Sequence, residues 1–149
     1  MYKSVWVILT VGDEVLLLKR GKKSNNPNLW NFPGGGVEKN EAIKTSAVRE
    51  VWEEAGIRIK ESDLVFTKRE EKSKRILYFY TVAFDKKPTV KINKESAKYR
   101  WVKWEDFPIN LHKPTRFFYK NKIKKAEKAS IGSALTNLVN KALEVAKKK

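Results

Sequence analysis

Gly35-Gly36-Val37-Glu38-Lys39-Asn40-Glu41 is followed eight residues later by Arg49-Glu50-Val51-Trp52-Glu53-Glu54-Ala55-Gly56-Ile57. The two stretches form one pattern, G-x5-E-x7-R-E-Φ-x-E-E-x-G-Φ, where Φ is apolar. Glu41 to Ala55 contains neither Pro nor Gly, and Ile43, Ala47, Val51 and Ala55 recur every four residues. That spacing predicts a helix with a buried stripe, Val48 lying beside it. Asn40 is the expected N-cap and Gly56 the expected stop.

On such a helix Glu50, Glu53 and Glu54 share a face, because residues three and four apart are neighbours. Carboxylates that close repel unless cations neutralise them. Arg49 lies four residues before Glu53 and is placed to pair with it. Glu41 lies near the helix start, where negative charge is favoured. The glycine turn Pro33-Gly34-Gly35-Gly36 removes side chains, so backbone carbonyls and amides approach a ligand closely. A carbonyl from Gly34 beside the carboxylates of Glu50 and Glu54 would complete much of an octahedral shell for a hard cation.

Outward from this helix, Ser4–Val11 and Glu14–Arg20 read as strands joined at Gly12-Asp13, a hairpin. Residues 21–29 read as a loop and 29–32 as a short strand. Residues 57–69, 75–84 and 98–104 read as further strands. Ile131, Leu135, Leu138, Val139 and Ala142 lie at helical spacing, so residues 131–146 are expected to form a packed amphipathic helix. Residues 120–128, with five lysines, are the expected mobile segment. A single domain over 1–149 follows, with a mixed sheet between helices.

Composition narrows the chemistry. The 149 residues suffice for one core, and 41% hydrophobic residues with 17 aromatics support a folded globule. There are no cysteines and one histidine, His112, which excludes thiolate and multi-histidine sites. A metal here must be held by oxygen, which favours Mg2+ or Mn2+ over zinc. No apolar run is long enough to span a bilayer and no signal peptide is evident, so a cytoplasmic chain without a membrane partner is expected. The net charge of +16 attracts polyanions. Residues 111–149 alone carry 11 Lys/Arg against 2 Asp/Glu.

The pattern resembles the signature box of the Nudix hydrolases, with every defined position filled. The resemblance extends over most of the chain and implies an α/β fold of the Nudix type, an α/β/α sandwich with a mixed β-sheet and a C-terminal amphipathic helix. It implies hydrolysis of a nucleoside diphosphate linked to another moiety, assisted by a divalent metal. By resemblance Glu50, Glu53 and Glu54 are metal ligands and catalytic carboxylates, Gly34 offers a carbonyl, and Arg49 orients the glutamates. Glu41 supports the junction of loop and helix. Relatives carry a further carboxylate on a later loop. Glu95 is the candidate, with Glu70 and Glu71 as rivals. The general base is expected to be Glu50 or Glu53.

Substrate marks lie outside the box. The chain has no proline between Pro33 and Pro88, unlike ADP-ribose pyrophosphatases, and lacks the proline-rich motif of NADH pyrophosphatases. What remains is most similar to MutT-type nucleoside triphosphate pyrophosphohydrolases, through Leu29–Gly35, Ile76–Val82 and Glu105–Asn110. On that resemblance Asn110, after Phe107-Pro108, would read a purine edge; a turn role is the alternative. Trp6, Trp30, Tyr78 and Tyr80 are candidates for base stacking, and Arg20, Lys19 and Lys22 for distal phosphates. The basic charge keeps open RNA 5′ ends as substrate, and a non-catalytic nucleotide- or nucleic-acid-binding regulator.

Overall fold

The computed structural model describes residues 1–147, and of Glu127, Ser130, Ile131 and Ser133 the backbone alone. Two compact units emerge, Met1–Thr115 and Arg116–Lys149.

The first unit is built on strand β1 (Tyr2–Val11), whose residues Ser4 to Leu9 are all buried. Its β-branched and aromatic residues favour extended backbone and tolerate burial on both faces. One edge of β1 pairs along its whole length, in parallel, with β6 (Arg75–Phe84). Its other edge is shared. Thr10 and Val11 pair with β2 (Glu14–Arg20), whereas Ser4, Val5 and Trp6 pair with β4 (Gly34–Gly36). Beyond the hairpin β1 and β2 therefore diverge. β2 turns to β3 (Trp30–Asn31) through Leu18 and Lys19, and takes β7 (Ser96–Lys103) on its opposite edge. β5 (Val65–Lys72) closes the far side against β6. The mixed α/β architecture expected from the sequence is present.

Helix α1 (Ile43–Ala55) covers the sheet with Ala47, Val51 and Ala55, all fully buried among Val5, Val7, Leu9, Leu16, Leu18 and Val82. Ile43 and Val48 pack against the same cluster. Gly56 ends the helix in the left-handed region, φ 66°, and its N–H donates to Trp52 O at 3.0 Å. Only glycine takes this conformation without steric cost.

Several boundaries differ from the sequence reading. The N-cap is Ala42, with extended backbone, and the helix begins at Ile43. Asn40 has φ 64° and so belongs to the preceding turn, not to a cap. Gly34–Gly36 is a short strand instead of a turn, because β1 offers it an unpaired edge. Residues 57–64 are not strand. Ile57, Ile59 and Leu64 are buried, but Glu61–Asp63 forms a 3₁₀ turn and pairing with β6 starts only at Val65.

The second unit continues helix α2 (Lys113–Lys147). The lysine-rich 120–128 segment is helical, in contrast to the expected mobile stretch, since nothing in it breaks a helix. The expected packed stripe is not packed. Leu135, Leu138, Val139, Leu143 and Val145 are 56–63% exposed. The Ile131 side chain, expected in this stripe, lies outside the described residues. The core of the first unit is filled without this stripe, by β1, β2, β6 and α1. Among the described residues no helix is long and apolar enough to cross a membrane.

A methyl at Gly34 would collide with the Val5 carbonyl and lie 2.8 Å from Trp6 Cα. Backbone cannot yield as a flexible side chain does. Gly34→Ala should therefore cost about 1–3 kcal/mol, read as a lower urea midpoint at unchanged slope.

Candidate active site

The fork between β1 and β2 makes a cleft of about 540 Å³. Ser4 and Trp6 enter it from β1, Arg20 from the end of β2, and Gly34 and Gly35 from β4. Glu50, Glu53 and Glu54 enter from α1 and Glu95 from the loop before β7. Tyr2, Asn25, Asn26, Arg75, His112 and Pro114 complete the lining.

Arg49 organises the carboxylates. Its Nε donates to Glu41 Oε2 at 2.8 Å and its Nη2 to Glu41 Oε1 at 3.0 Å, a two-pronged pair. Nη1 donates to Glu50 Oε1 and to Glu53 Oε2, each at 3.1 Å. Nη2 also reaches the Gly36 carbonyl at 3.2 Å and Ser46 Oγ at 3.3 Å. The guanidinium so joins β4, the turn before α1 and the helix itself. Its pKa is raised further, chiefly by the Glu41 hydrogen bonds. Glu41 also caps its own turn, accepting from Glu38 N–H at 3.1 Å.

Glu54 lies outside this net. Its Oε2 accepts the Gly34 N–H at 3.1 Å. Burial pushes its carboxyl up to about 8, and the neighbouring Glu50 and Glu95 add to the rise. Burial likewise raises Glu50, opposed by Arg49. Gly35 passes directly over Glu50: a methyl there would meet Glu50 Oε1 at 2.7 Å. The glycine leaves room for that carboxylate at the wall of the cleft.

Glu95 is positioned by its loop. Asn93 Nδ2 donates to Glu53 O at 3.0 Å, Lys91 N–H to Ala55 O at 2.7 Å and Gly21 N–H to Glu95 O at 2.8 Å. These bonds tie the 91–95 segment to the end of α1 and to the end of β2, and bring Glu95 within electrostatic reach of Glu50 and Glu54. The rivals Glu70 and Glu71 are on β5, outside the cleft lining.

Among the described residues no three carboxylates or imidazoles are gathered as a metal-holding cluster in these side-chain conformations. The donor chemistry nonetheless fits a hard divalent cation. The donors are all oxygens, two of the carboxylates are raised by burial, and Gly35 leaves room for Glu50. Of the residues expected to hold it, Glu50, Glu53, Glu54, Glu95 and Gly34 all line the cleft. For Gly34 the hydrogen bond observed with a carboxylate is made by its N–H.

The expected substrate contacts divide. Arg20 lines the cleft, its Nε held by the Asn25 carbonyl at 2.6 Å. Trp30, Tyr78 and Asn110 are not among the lining residues. Trp30 is buried beneath Lys19, Lys98 and Arg100, the Arg100 guanidinium 5.2 Å from its ring. Tyr78 packs against the core. Asn110 donates from Nδ2 to the Asn28 carbonyl at 2.7 Å and accepts at its own carbonyl from Trp30 N–H. Tyr2, Ser4, Asn25, Asn26 and Arg75 belong to no motif in the sequence, since they come from separate segments, and His112 stands there only as the single histidine. Trp6 and His112 meet edge to face at 5.6 Å.

The Glu41–Arg49 pair should show in the pH dependence of stability. Hydrogen bonds from Arg49 lower the Glu41 carboxyl from 4.5 to about 2. A depressed carboxyl contributes its stability above the unfolded value, and that contribution disappears as pH falls from 4.5 toward 2. Glu41→Gln should thus unfold more easily than the parent by on the order of 1 kcal/mol at neutral pH. Urea titrations at a series of pH values should find the two proteins converging near pH 2, the folded-state value.

The model of the NUDIX domain matches residues 2–124. The mouse diphosphoinositol polyphosphate phosphohydrolase 2 is 37% identical over 119 residues, covering 75% of this chain and 63% of the relative. The human diphosphoinositol polyphosphate phosphohydrolase 3-beta is 35% identical over 131 residues, 83% of this chain and 76% of the relative. The chain thus accounts for less than two thirds of the length of the mouse relative. Among solved structures, a MutT protein from Methanosarcina mazei superposes with a TM-score of 0.64 at 27% identity, covering 84% of this chain and 94% of its own. A MutT NUDIX hydrolase from Burkholderia pseudomallei gives 0.67 at 19% identity, covering 80% and 95%, a likeness of fold. Nudix hydrolases generally need divalent metal ions. With the box, the mixed sheet and these matches in agreement, the chain belongs to the Nudix family.

Proposed function

We propose that the protein hydrolyses phosphoanhydride bonds at the cleft of Glu50, Glu53, Glu54 and Glu95. The observation that carries the substrate class is the shared lining. Arg20 and Arg75 open onto the same cleft as the glutamates, with Asn25, Asn26 and His112, and the aromatic contribution is Tyr2 and Trp6. Such a wall favours a body studded with phosphates over a base read edge to edge. The preferred substrate is a small polyphosphorylated molecule bearing a terminal diphosphate. The relatives named as diphosphoinositol polyphosphate phosphohydrolases support this reading.

Glu50 and Glu54, with Glu53 and Glu95 nearby, are the residues to hold divalent cations, Mg2+ or Mn2+ suiting an all-oxygen set. When bound, such ions neutralise the diphosphate and acidify water. Arg49 fixes the rotamers of Glu50 and Glu53. Glu53, half-exposed, is the carboxylate we assign to accept the water proton. Arg20 and Arg75 bind and orient the anionic body.

A second reading is a MutT-like nucleoside triphosphate pyrophosphohydrolase, favoured by Trp6, whose ring reaches the cleft. The same chemistry on 5′-triphosphate RNA is a third class, supported by charge alone. Products separate these readings. With Mg2+ or Mn2+, cleavage of a diphosphoinositol polyphosphate releases orthophosphate, and cleavage of a nucleoside triphosphate releases pyrophosphate. Turnover of the first class ahead of nucleotides and RNA is expected. Failure on every phosphoanhydride would leave the non-catalytic regulator.

Glu53 is half-exposed, so Glu53→Gln should fold normally. It should lower kcat by about 100-fold or more if it takes the proton. Arg75→Ala should raise KM for the polyphosphorylated substrate with kcat little changed, since it removes binding energy shared by ground and transition states.

A further inference from the structure

The C-terminal helical unit carries a feature of its own. Leu135, Leu138, Val139, Ala142, Leu143 and Ala146 follow one another at i, i+3, i+4, i+7, i+8 and i+11. On helix α2 those positions share one face. Leu135, Leu138, Val139 and Leu143 are each more than half exposed. Asn137, Asn140 and Glu144 take the opposite face. An apolar stripe of this kind does not arise on a helix selected only for solubility.

The same face is basic one step toward the N-terminus. Lys128 and Lys124 lie seven and eleven residues before Leu135, and Lys125 fourteen before Val139, so all three fall on the stripe's own side of the helix. All are exposed. Lys141 borders the apolar arc. Across Lys113–Lys147 nine Lys or Arg stand against two Asp or Glu.

A partner must therefore accept apolar side chains and a block of lysines on one surface. A second copy of the helix does this poorly. In parallel it sets Lys124 and Lys128 against themselves; antiparallel, it lays lysines on leucines. An RNA backbone takes the lysines and leaves the leucines in water. The surface of an anionic bilayer satisfies both, headgroups meeting the lysines while the leucines enter the acyl boundary. Among the described residues no helix is long and apolar enough to cross a bilayer, which lying in the interface does not require. We propose that α2 from Lys120 to Lys147 is an interfacial anchor for anionic membranes. The sequence expectation of no membrane partner weighed only spanning segments, and an interfacial helix is a different mode of binding.

The test uses the full chain with vesicles of phosphatidylcholine alone, and of phosphatidylcholine with about one third phosphatidylserine. Co-sedimentation should retain the protein on the anionic vesicles only. Raising the salt from about 0.05 to about 0.3 M should weaken binding by about tenfold or more. Replacing Leu135, Leu138 and Leu143 together by Ala keeps helix propensity, and should lower affinity by about tenfold or more. Lys124→Gln with Lys128→Gln should weaken it several-fold, and hydrolysis in solution should be unchanged in both variants. The proposal is overturned if anionic vesicles are not bound, or if the alanine variant binds them as the parent does. It is equally overturned if a short RNA is bound by parent and alanine variant alike while vesicles are not. A dimer in sedimentation that the alanine changes dissolve, without vesicle binding, overturns it in favour of a second copy.

Discussion

One guanidinium holds the site together. Arg49 has five N–H donors in a rigid plane, and each of its three nitrogens is engaged: with Glu41, Glu50, Glu53, Ser46 and the Gly36 carbonyl. A lysine could neutralise these carboxylates but could not fix their directions. The bonds to Glu41 and Gly36 hold the loop before the helix to the helix, while the bonds to Glu50 and Glu53 aim two side chains at the cleft. Structure and site therefore depend on the same residue. The carboxylates it does not reach behave differently. Glu54 relies on one Gly34 N–H, and burial there favours its neutral form up to about 8. A divalent cation held there would meet two carboxylates already oriented by Arg49 and another whose charge it would have to stabilise.

The sheet makes this arrangement possible by dividing. β1 and β2 share only two paired positions before they part, and β4 takes the vacated edge of β1. Gly34 fits there because a side chain would strike Val5 and Trp6, and Gly35 because a side chain would strike Glu50. The successive glycines thus answer to different neighbours: one to strand pairing, the next to the carboxylate. Their run reads in sequence as a turn that brings backbone close to a ligand, yet here it is a strand paired with β1, with the Gly34 N–H committed to Glu54.

What the sequence revealed and what it hid follow from the range of the interactions. The stripe of Ala47, Val51 and Ala55, the stop at Gly56 and the hairpin at Gly12 are set by neighbours within a few residues, so periodicity and turn chemistry expose them. The pairing of Arg49 with Glu53 is legible for the same reason. Its stronger bond, to Glu41 eight residues away, depends on a turn with Asn40 in the left-handed region, and spacing alone does not show that. Residues 57–64 mislead because Ile57 and Ile59 alternate as in a strand, but burial without a partner edge leaves them irregular. Helix α2 misleads in the opposite direction: its period was visible, but periodicity reports that a face is apolar and not what covers it.

The cleft lining extends this reasoning to specificity. Glu50, Glu53 and Glu54 come from one helix and form a motif because a single turn must hold them. The rest of the lining comes from the start of β1, the end of β2, the following loop, β4, the start of β6, the loop carrying Glu95 and the residues around the start of α2. Each segment contributes one to three residues, with no spacing that could constitute a signature. Trp30 and Asn110 illustrate the consequence. Both sit in stretches that look like nucleotide contacts, yet one is covered by cations and the other braces the 28–30 turn. Arg75, with no motif around it, reaches the cleft because β6 runs parallel to β1 and begins opposite Tyr2. The reaction is thus set by local geometry that evolution cannot easily separate. In the proposed function the substrate is chosen by residues brought together only by sheet topology, any of which can change without disturbing the box. A family that keeps its helix and varies these strand ends can keep one chemistry and apply it to many phosphoanhydrides.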